Sequence, residues 1–181
     1  MKAIVVYESM FGATRSVAEA VAEGLGSAGQ VRVARAADVE AGALEGVDLL
    51  VVGAPTHAWS MPRPSTRQGA PGYTRKPGSD LAVEPGAATD PGVREWIESL
   101  TGVSQSVAAF DTRFAMPALL TGRASRAILR SLCRKGARRL VPAESFLVDK
   151  KSHLLTGQLE RARSWGSELA VAFPALRARA A

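Results

Sequence analysis

The stretch AIVVYESMFGAT, residues 3–14, decides the fold, because it changes from one structural period to another within a few residues. Its first part, residues 3–7, is a continuous apolar and β-branched run, typical of a parallel strand buried on both faces. From Thr14 onward the apolar residues recur with a helical period. They are Val17, Val21 and Leu25. A buried strand that leads through a tight turn into an amphipathic helix is typical of the opening of a β-α-β unit.

The rest of the chain continues this alternation. Further strands are predicted over residues 30–35, 47–52, 106–110 and 140–148, the last interrupted at Pro142. Further helices are predicted from Asp90-Pro91, with Asp90 as the N-cap, and over residues 125–135 and 156–173. Strands that alternate with helices predict an α/β fold, a three-layer sandwich in which a parallel sheet carries helices on both faces.

Length and composition narrow the class of protein. The 181 residues fit a single domain over 1–181, and an apolar fraction of 46% excludes wholesale disorder. No apolar run reaches the roughly 18 residues of a membrane span, so we expect a cytoplasmic protein without a membrane partner. The single cysteine, Cys133, has apolar neighbours that indicate a buried thiol, and no metal site is predicted. A net charge of +6 favours anionic partners.

The turn after the first strand offers what a bound phosphate needs. Ligands of open α/β sheets bind beyond the carboxyl ends of the strands. The turn consists of Ser9, Met10, Phe11, Gly12, Ala13 and Thr14. Ser9 and Thr14 supply hydroxyls, Gly12 lets the backbone bend so that successive N–H groups point inward, and the helix start behind adds partial positive charge. We therefore expect the N–H groups of residues 10–14 to bind a phosphate. An ordinary strand-to-helix turn would contain the same residue types.

Residues 7–14, YESMFGAT, resemble the FMN phosphate loop of the flavodoxin family, commonly [ST]-x-[ST]-G-x-[ST]. Phe11 departs from the classic electron carriers and is similar to the branch that contains flavodiiron proteins and flavodoxin-like quinone reductases. The resemblance implies a flavodoxin-like sandwich with a five-stranded parallel sheet of order 2-1-3-4-5, and FMN as cofactor. It covers the strand and helix layout of the whole chain, and three loops carry it specifically.

The second of these loops follows the predicted strand at 47–52 and reads GAPTHAW, residues 53–59. The resemblance implies that its later residues line the flavin ring. They are Pro55, Thr56, His57, Ala58 and Trp59. Trp59 supplies a flat apolar surface for stacking, or else it anchors the loop. His57 is either a polar loop residue or a proton donor beside the reduced flavin.

The third loop, Asp111-Thr112-Arg113, follows the predicted strand at 106–110. The resemblance implies that it approaches the ring, and that an aromatic side chain covers the outer face there. No tyrosine is present in this loop, and Phe114 is the nearest substitute. Thr112 can donate to the carbonyl edge of the ring. Arg113 either stabilises negative charge on the flavin or is solvated.

Between the second loop and Asp90 the sequence loses all periodicity. This insertion segment, residues 61–90, is rich in Gly and Pro. We expect it to be mobile without ligand and to cover part of the flavin pocket, since it has no helix or strand to hold it. Its cations would then approach the flavin or an anionic substrate. They are Arg63, Arg67, Arg75 and Lys76. A passive surface loop is the alternative.

A basic stripe lies outside the predicted pocket. Arg123, Arg126, Arg130 and Arg134 recur at spacings that place them on one helix face, and Lys135, Arg138 and Arg139 extend the tract. The stripe is either solvated surface or a docking face for an acidic redox partner. Nucleic acid is unlikely, because no aromatic residues are interleaved.

The leading interpretation is an FMN-binding flavoprotein, which performs electron transfer or FMN-dependent oxidoreduction of a small acceptor. Its partners would be a redox protein or that acceptor, and whether it is an enzyme is left open. The alternative is a non-catalytic binding module of the same fold that acts through its basic helix.

Overall fold

The computed structural model describes residues 1–75 and 78–178. The strands are β1 (Lys2–Tyr7), β2 (Gln30–Arg35), β3 (Leu49–Pro55), β4 (Ser106–Phe114), β5 (Arg138–Arg139) and β6 (Glu144–Val148). The helices are α1 (Ala13–Leu25), α2 (Pro64–Gln68), α3 (Ala70–Thr74), α4 (Val93–Ser99), α5 (Ala118–Thr121), α6 (Ala124–Arg134) and α7 (Gln158–Ala178). No helix among the described residues is long and apolar enough to cross a membrane.

All strand pairs within the sheet are parallel, and the strand order is β2-β1-β3-β4-β5. The fifth position is divided in two, because β5 pairs with the start of β4 and β6 pairs with its end. The break contains Pro142, which has no N–H to donate to the ladder. The predicted fold class and strand order are therefore confirmed. The fifth strand is interrupted around Pro142 as predicted, but its first part, β5, lies before the predicted start at residue 140.

Several boundaries differ from the prediction, and two of these differences have a clear physical cause. β4 continues through residues 111–114, because all four pair with β6 and residues 111 and 112 also pair with β3. The predicted N-cap Asp90 is also wrong, since α4 begins at Val93. The Gly92 N–H donates to the Glu95 carboxylate at 2.8 Å, while Asp90 accepts from Arg35 instead.

The core lies on both faces of the sheet, because alternate side chains of each strand point in opposite directions. Val5 packs in the cluster formed with α1 and α7, and Val6 packs in the cluster formed with α4 and α6. α1 and α7 cross at close range. A Cβ at Gly24 would lie 2.0 Å from the carbonyl oxygen of Arg163, so this contact requires glycine. On α6, Cys133 is exposed, and the expected buried thiol is wrong.

Candidate cofactor-binding site

A cavity of about 480 Å³ lies at the carboxyl ends of β1, β3 and β4. Most of the predicted site residues line it: Ser9, Met10, Phe11, Ala13, Thr14, Pro55, Thr56, His57, Ala58, Thr112 and Arg113. Phe114, the expected aromatic substitute of the third loop, also lines it. Gly12, Trp59 and Asp111 do not. Sheet register thus brings the three predicted loops to one cavity, as expected for a parallel α/β sheet.

The turn after β1 leaves unpaired donors at the start of α1. Gly12 adopts a left-handed φ of +93°, and its N–H donates to the Ser9 hydroxyl at 3.1 Å. The first intrahelical bond runs from the Ser16 N–H to the Gly12 carbonyl at 2.9 Å. The preceding N–H groups, those of residues 13–15, therefore have no intrahelical acceptor. Such a cluster of N–H groups at a helix start favours an anion.

Hydroxyl groups join the first loop to the third and the second loop to α6. The Thr14 and Thr112 hydroxyl oxygens lie 2.8 Å apart and are buried, so the first and third loops are held together across the cavity floor. The Thr56 hydroxyl accepts from the Ala124 N–H at 3.0 Å, which ties the second loop to the start of α6. These bonds fix the relative positions of the loops without using charged groups.

The second loop ends in a tight and strained turn. The N–H and carbonyl groups of His57 and Ser60 exchange two bonds of 2.9 Å. The two central residues, Ala58 and Trp59, have φ values of +44° and +65°, which costs non-glycine residues roughly 1–3 kcal/mol each. Gly122 supports this turn from outside, since a Cβ at Gly122 would lie 2.3 Å from the Trp59 Cα.

This turn directs Trp59 away from the cavity lining. Its side chain is 65% exposed, so the structure does not bring it together with the other residues expected against the ring. His57 does line the cavity. Burial lowers the pKa of its imidazole, and the charge of Arg67 lowers it further. The neutral form of His57 is therefore favoured.

Asp111 has a structural position rather than a place in the cavity. It is fully buried, and its Oδ2 accepts from the Ser125 N–H at 2.8 Å and from the Ser125 hydroxyl at 2.6 Å. Burial raises the pKa of its carboxyl group. The carboxylate thus satisfies an N–H at the start of α6. The sequence prediction grouped it with ring-contacting residues because it stands next to Thr112.

Arg113 lines the cavity with its guanidinium held by the chain just beyond it. Nη1 donates to the Met116 carbonyl at 2.6 Å and to the Phe114 carbonyl at 3.2 Å. Burial lowers the pKa of this guanidinium. The side chain is thereby fixed beside the cavity by carbonyl oxygens, with no carboxylate partner within the described residues.

The insertion segment forms a wall of the same cavity. It contains α2 and α3, which the Gly- and Pro-rich sequence did not predict. Their residues facing the cavity are Ser65, Thr66, Gly69, Ala70 and Tyr73. The Tyr73 ring meets the Phe11 ring edge-on, with centroids 6.2 Å apart. Sequence reasoning missed these lining residues, although Tyr73 is one of the few bulky side chains of the segment.

A buried ionic cluster fastens this wall to the sheet. The exposed fraction of Arg67 is 3%, and its Nη2 lies 2.9 Å from Glu95 Oε2. Its Nη1 lies 3.6 Å from Glu8 Oε1, while Glu8 Oε2 accepts from the Val93 N–H at 2.9 Å. Burial raises the pKa of the Glu8 carboxyl group. Arg67 therefore does not approach the cavity, and that expectation is wrong.

Further contacts hold both ends of the insertion segment. Arg94 donates to the carbonyls of Met61 at 2.8 Å and Pro62 at 3.1 Å. Near the other end, the Glu84 N–H donates to the Met10 carbonyl at 2.9 Å, and Glu84 pairs with Arg15 at 3.0 Å. The expectation that nothing holds the segment is thus wrong. Arg63 and Arg75 are exposed and do not line the cavity, and Lys76 lies outside the described residues.

The features of the cavity fit FMN. The unpaired N–H groups at the start of α1 suit a phosphate, and the volume lies within the roughly 300–1,000 Å³ of ligand pockets. Apolar side chains such as Met10 and Pro55 stand beside hydroxyls and one cation, as a flat ring with a polar edge requires.

A family model described as flavodoxin matches residues 5–63, and no curated protein matches the chain in sequence. Among solved structures, a flavodoxin from the domain Archaea is similar with a TM-score of 0.65 and 22% identity, over 96% of this chain and 99% of that one. Flavodoxin 1 from Bacillus cereus is similar with a TM-score of 0.64 and 17% identity, over 94% and 98%. Rubredoxin oxygen:oxidoreductase from Desulfovibrio gigas has a TM-score of 0.63 and 15% identity, over 96% of this chain and 36% of that one.

These matches show a flavodoxin-like fold, and the predicted resemblance is confirmed. The sequence match ends within the insertion segment, while the fold match continues through nearly the whole chain. Members of the flavodoxin family bind FMN, which agrees with the predicted cofactor.

Proposed function

We propose that this protein binds FMN in the cavity at the carboxyl ends of β1, β3 and β4 and transfers electrons through it. The proposal rests on one observation: a single cavity is bordered both by the start of α1, where N–H groups are unpaired, and by the ends of β3 and β4. The phosphate would bind at the turn of residues 10–14, where the N–H groups of residues 13 and 14 have no intrahelical acceptor, and the ring would lie toward His57 and Thr112.

The phosphate site is neutral in this proposal. No cation occurs between Ser9 and Thr14, and the Arg15 guanidinium pairs with Glu84. Binding would therefore depend on N–H and hydroxyl donors together with the partial charge of the helix start. The Thr14 and Thr112 hydroxyls, already in contact, would orient the cofactor between the first and third loops.

Bound FMN would supply the electron-transfer chemistry, and the chain would adjust its surroundings. Arg113 is a fixed cation at the cavity wall, and it would favour negative charge there. Neutral His57 can donate or accept one hydrogen bond at the cavity, and its lowered pKa keeps it from adding a second charge. The wall formed by α2 and α3 would exclude water from one side.

This wall also supports a second candidate, the FMN-dependent reduction of a small acceptor. An enzyme needs an enclosed space over the cofactor, and Tyr73 and Ala70 of the insertion segment border the cavity beside Phe11. The predicted cytoplasmic location remains part of this proposal.

The test compares FMN with riboflavin, which lacks the phosphate. Calorimetric titration of the purified protein should give FMN much the higher affinity, and the complex should show a flavin absorbance band. Equal affinities for the two ligands would refute the phosphate site. A protein that binds neither would support the alternative, a binding module that acts through its basic helix. Oxidation of the reduced complex by small quinones is then measured for the wild-type protein and for a variant without the Tyr73 ring. This comparison separates electron transfer from the reduction of a small acceptor.

A further inference from the structure

The basic stripe predicted from the sequence is exposed and has no acidic partners. Arg126 and Arg130 lie on the exposed face of α6, and Arg139, exposed on β5, lines the same surface hollow as both of them. Within residues 1–75 and 78–178, none of these three forms an ion pair. The sequence from residue 123 to 139 contains no acid at all. This face is thus an uncompensated patch of positive charge.

Bulky apolar side chains are exposed on the two chain segments beside the cavity, residue 59 and residues 114–120, and we call them the apolar patch. They are Trp59, Phe114, Met116, Leu119 and Leu120, with exposed fractions of 65, 44, 49, 90 and 58%. Solvated monomers rarely keep bulky apolar side chains together at a surface without a function. Phe114 also lines the cavity, so the patch reaches the cofactor site itself.

The two patches are continuous. The bridge between Trp59 and Gly122 brings the apolar patch to the residue that precedes Arg123, and the Thr56 hydroxyl holds the first N–H of α6. The stripe on α6 therefore starts where the apolar patch ends. Apolar residues flanked by charged ones, with arginine enriched, are the composition of a protein–protein interface.

We propose that these two patches form one docking surface for the acidic face of a partner redox protein. This inference rests on the proposed function, because its purpose is to bring a partner's redox centre to the edge of the bound flavin. The arginines would steer an acidic partner toward the cavity, and the apolar patch would hold it there.

The observations favour an acidic protein over two other occupants. A second copy related by a two-fold axis would bring arginines against arginines. Nucleic acid would satisfy the arginines, but residues 123–139 offer no aromatic side chain for base stacking. An acidic protein surface satisfies the charges and covers the apolar patch at the same time.

The test uses a small acidic [2Fe–2S] ferredoxin as the probe and basic cytochrome c as the probe of opposite charge. Stopped-flow measurement of electron transfer should show a fast reaction with ferredoxin that slows as salt is added, and no such response with cytochrome c. Arg126→Glu with Arg130→Glu should reduce the ferredoxin association rate constant by about tenfold or more at low salt. Leu119→Ser should instead raise the dissociation rate constant.

The matched control is Lys2→Glu with Arg32→Glu, which changes the net charge equally near the opposite edge of the sheet, where both side chains are exposed. This control should change the rate constant by less than about twofold.

Ferredoxin affinity is also measured on protein without FMN, by fluorescence anisotropy. Loss of flavin binding with intact, arginine-dependent ferredoxin binding would refute the proposed function alone. An FMN complex whose ferredoxin association rate constant is the same with and without the two arginines would overturn the docking surface. Dimers that depend on these arginines, or an affinity for duplex DNA that exceeds the affinity for ferredoxin, would also overturn it.

Discussion

The cavity has two sides that are held in place in different ways. The sheet side consists of the turn after β1 and the ends of β3 and β4, and its loops are joined by hydroxyl and backbone hydrogen bonds such as the Thr14–Thr112 contact. The insertion side consists of α2 and α3, and it is fastened by the buried cluster of Glu8, Arg67 and Glu95. One side is thus built on neutral groups in a parallel sheet, and the other depends on a few buried charges.

This difference has consequences for stability. Contacts of the sheet side are distributed over many strand residues, so the loss of one hydroxyl leaves the register unchanged. The insertion side has few bulky apolar anchors, and a buried charge that loses its partner is costly. We therefore expect the two sides to respond very differently to single substitutions.

The largest effect should follow from Arg67→Met. Removal of this cation leaves the buried Glu8 and the partly exposed Glu95 without their partner, and the loss of a partner from a buried charge typically costs about 3–5 kcal/mol. Urea unfolding should show the loss in the free energy of unfolding. Hydrogen exchange should show increased exposure of residues 64–74, with little change in the strands.

Two variants sharpen this result. Arg63→Met removes an exposed cation at the start of the same helix, and it should change stability by less than about 0.5 kcal/mol. Arg67→Met combined with Glu8→Gln should be less destabilising than Arg67→Met alone, since one unpaired charge is gone. Equal destabilisation by Arg67→Met and Arg63→Met would show that the cluster does not hold the insertion side.

The sheet side was largely predictable from sequence, and the reason is local patterning. β2 has the predicted bounds of residues 30–35, and the turn with Gly12 lies where the change of period placed it. Its lining residues follow each strand directly, so finding the strands was enough to find them. Three predicted site residues, Gly12, Trp59 and Asp111, do not line the cavity. Asp111 bonds to Ser125 across the chain, and the positive φ of Trp59 cannot be read from its neighbours in sequence.

The insertion side was not predictable, because its anchors are distant in sequence. Arg67 reads as a solvated cation in a Gly- and Pro-rich stretch, and only its contacts with Glu8 and Glu95 reveal its burial. α2 and α3 are each five residues long, too short for a helical period to emerge. A charged residue directly after a buried strand, as Glu8 is after β1, was the one signal that a buried ion pair was needed.

A second prediction concerns the neutral phosphate site of the sheet side. Ser9→Ala combined with Thr14→Val should weaken FMN binding by about 1–3 kcal/mol, a typical range for hydrogen bonds to a charged group. Riboflavin binding should change much less, because riboflavin carries no phosphate. Calorimetric titration with both ligands measures the difference.

The control for this pair is Ser104→Ala, an exposed hydroxyl in the loop before β4. It should leave both affinities unchanged. Equal weakening of FMN and riboflavin by the double variant would mean that the two hydroxyls position the ring rather than the phosphate.

A third prediction compares the aromatic residues of the two sides. Tyr73 lines the cavity from the insertion side, whereas Trp59 extends into solvent from the sheet side. Tyr73→Leu should therefore weaken FMN binding by about 0.5–1.5 kcal/mol, the usual contribution of an aromatic pair. Trp59→Ala should change the affinity less and leave the emission of bound flavin nearly as quenched as before.

The variant Tyr73→Phe keeps the ring and should retain the affinity. A strong recovery of flavin emission in Trp59→Ala, with the cofactor fully bound, would instead support the stacking position that the sequence suggested for Trp59.

The smallest effect concerns His57, where the two sides meet electrostatically. Burial lowers the pKa of His57, and the charge of Arg67 on the insertion side lowers it further. The unfolded chain therefore binds a proton at His57 more readily than the folded protein does. This contribution to stability is fully present above the unfolded pKa of about 6.5 and is lost as the pH falls through the lower folded value.

His57→Gln should remove that loss, so the difference in the free energy of unfolding between variant and wild type should change only below about pH 6.5. The chain has only one other histidine, His153, so an NMR titration can follow the His57 imidazole directly. A His57 pKa at or above the ordinary histidine value would show that the insertion side does not act on the sheet side through Arg67.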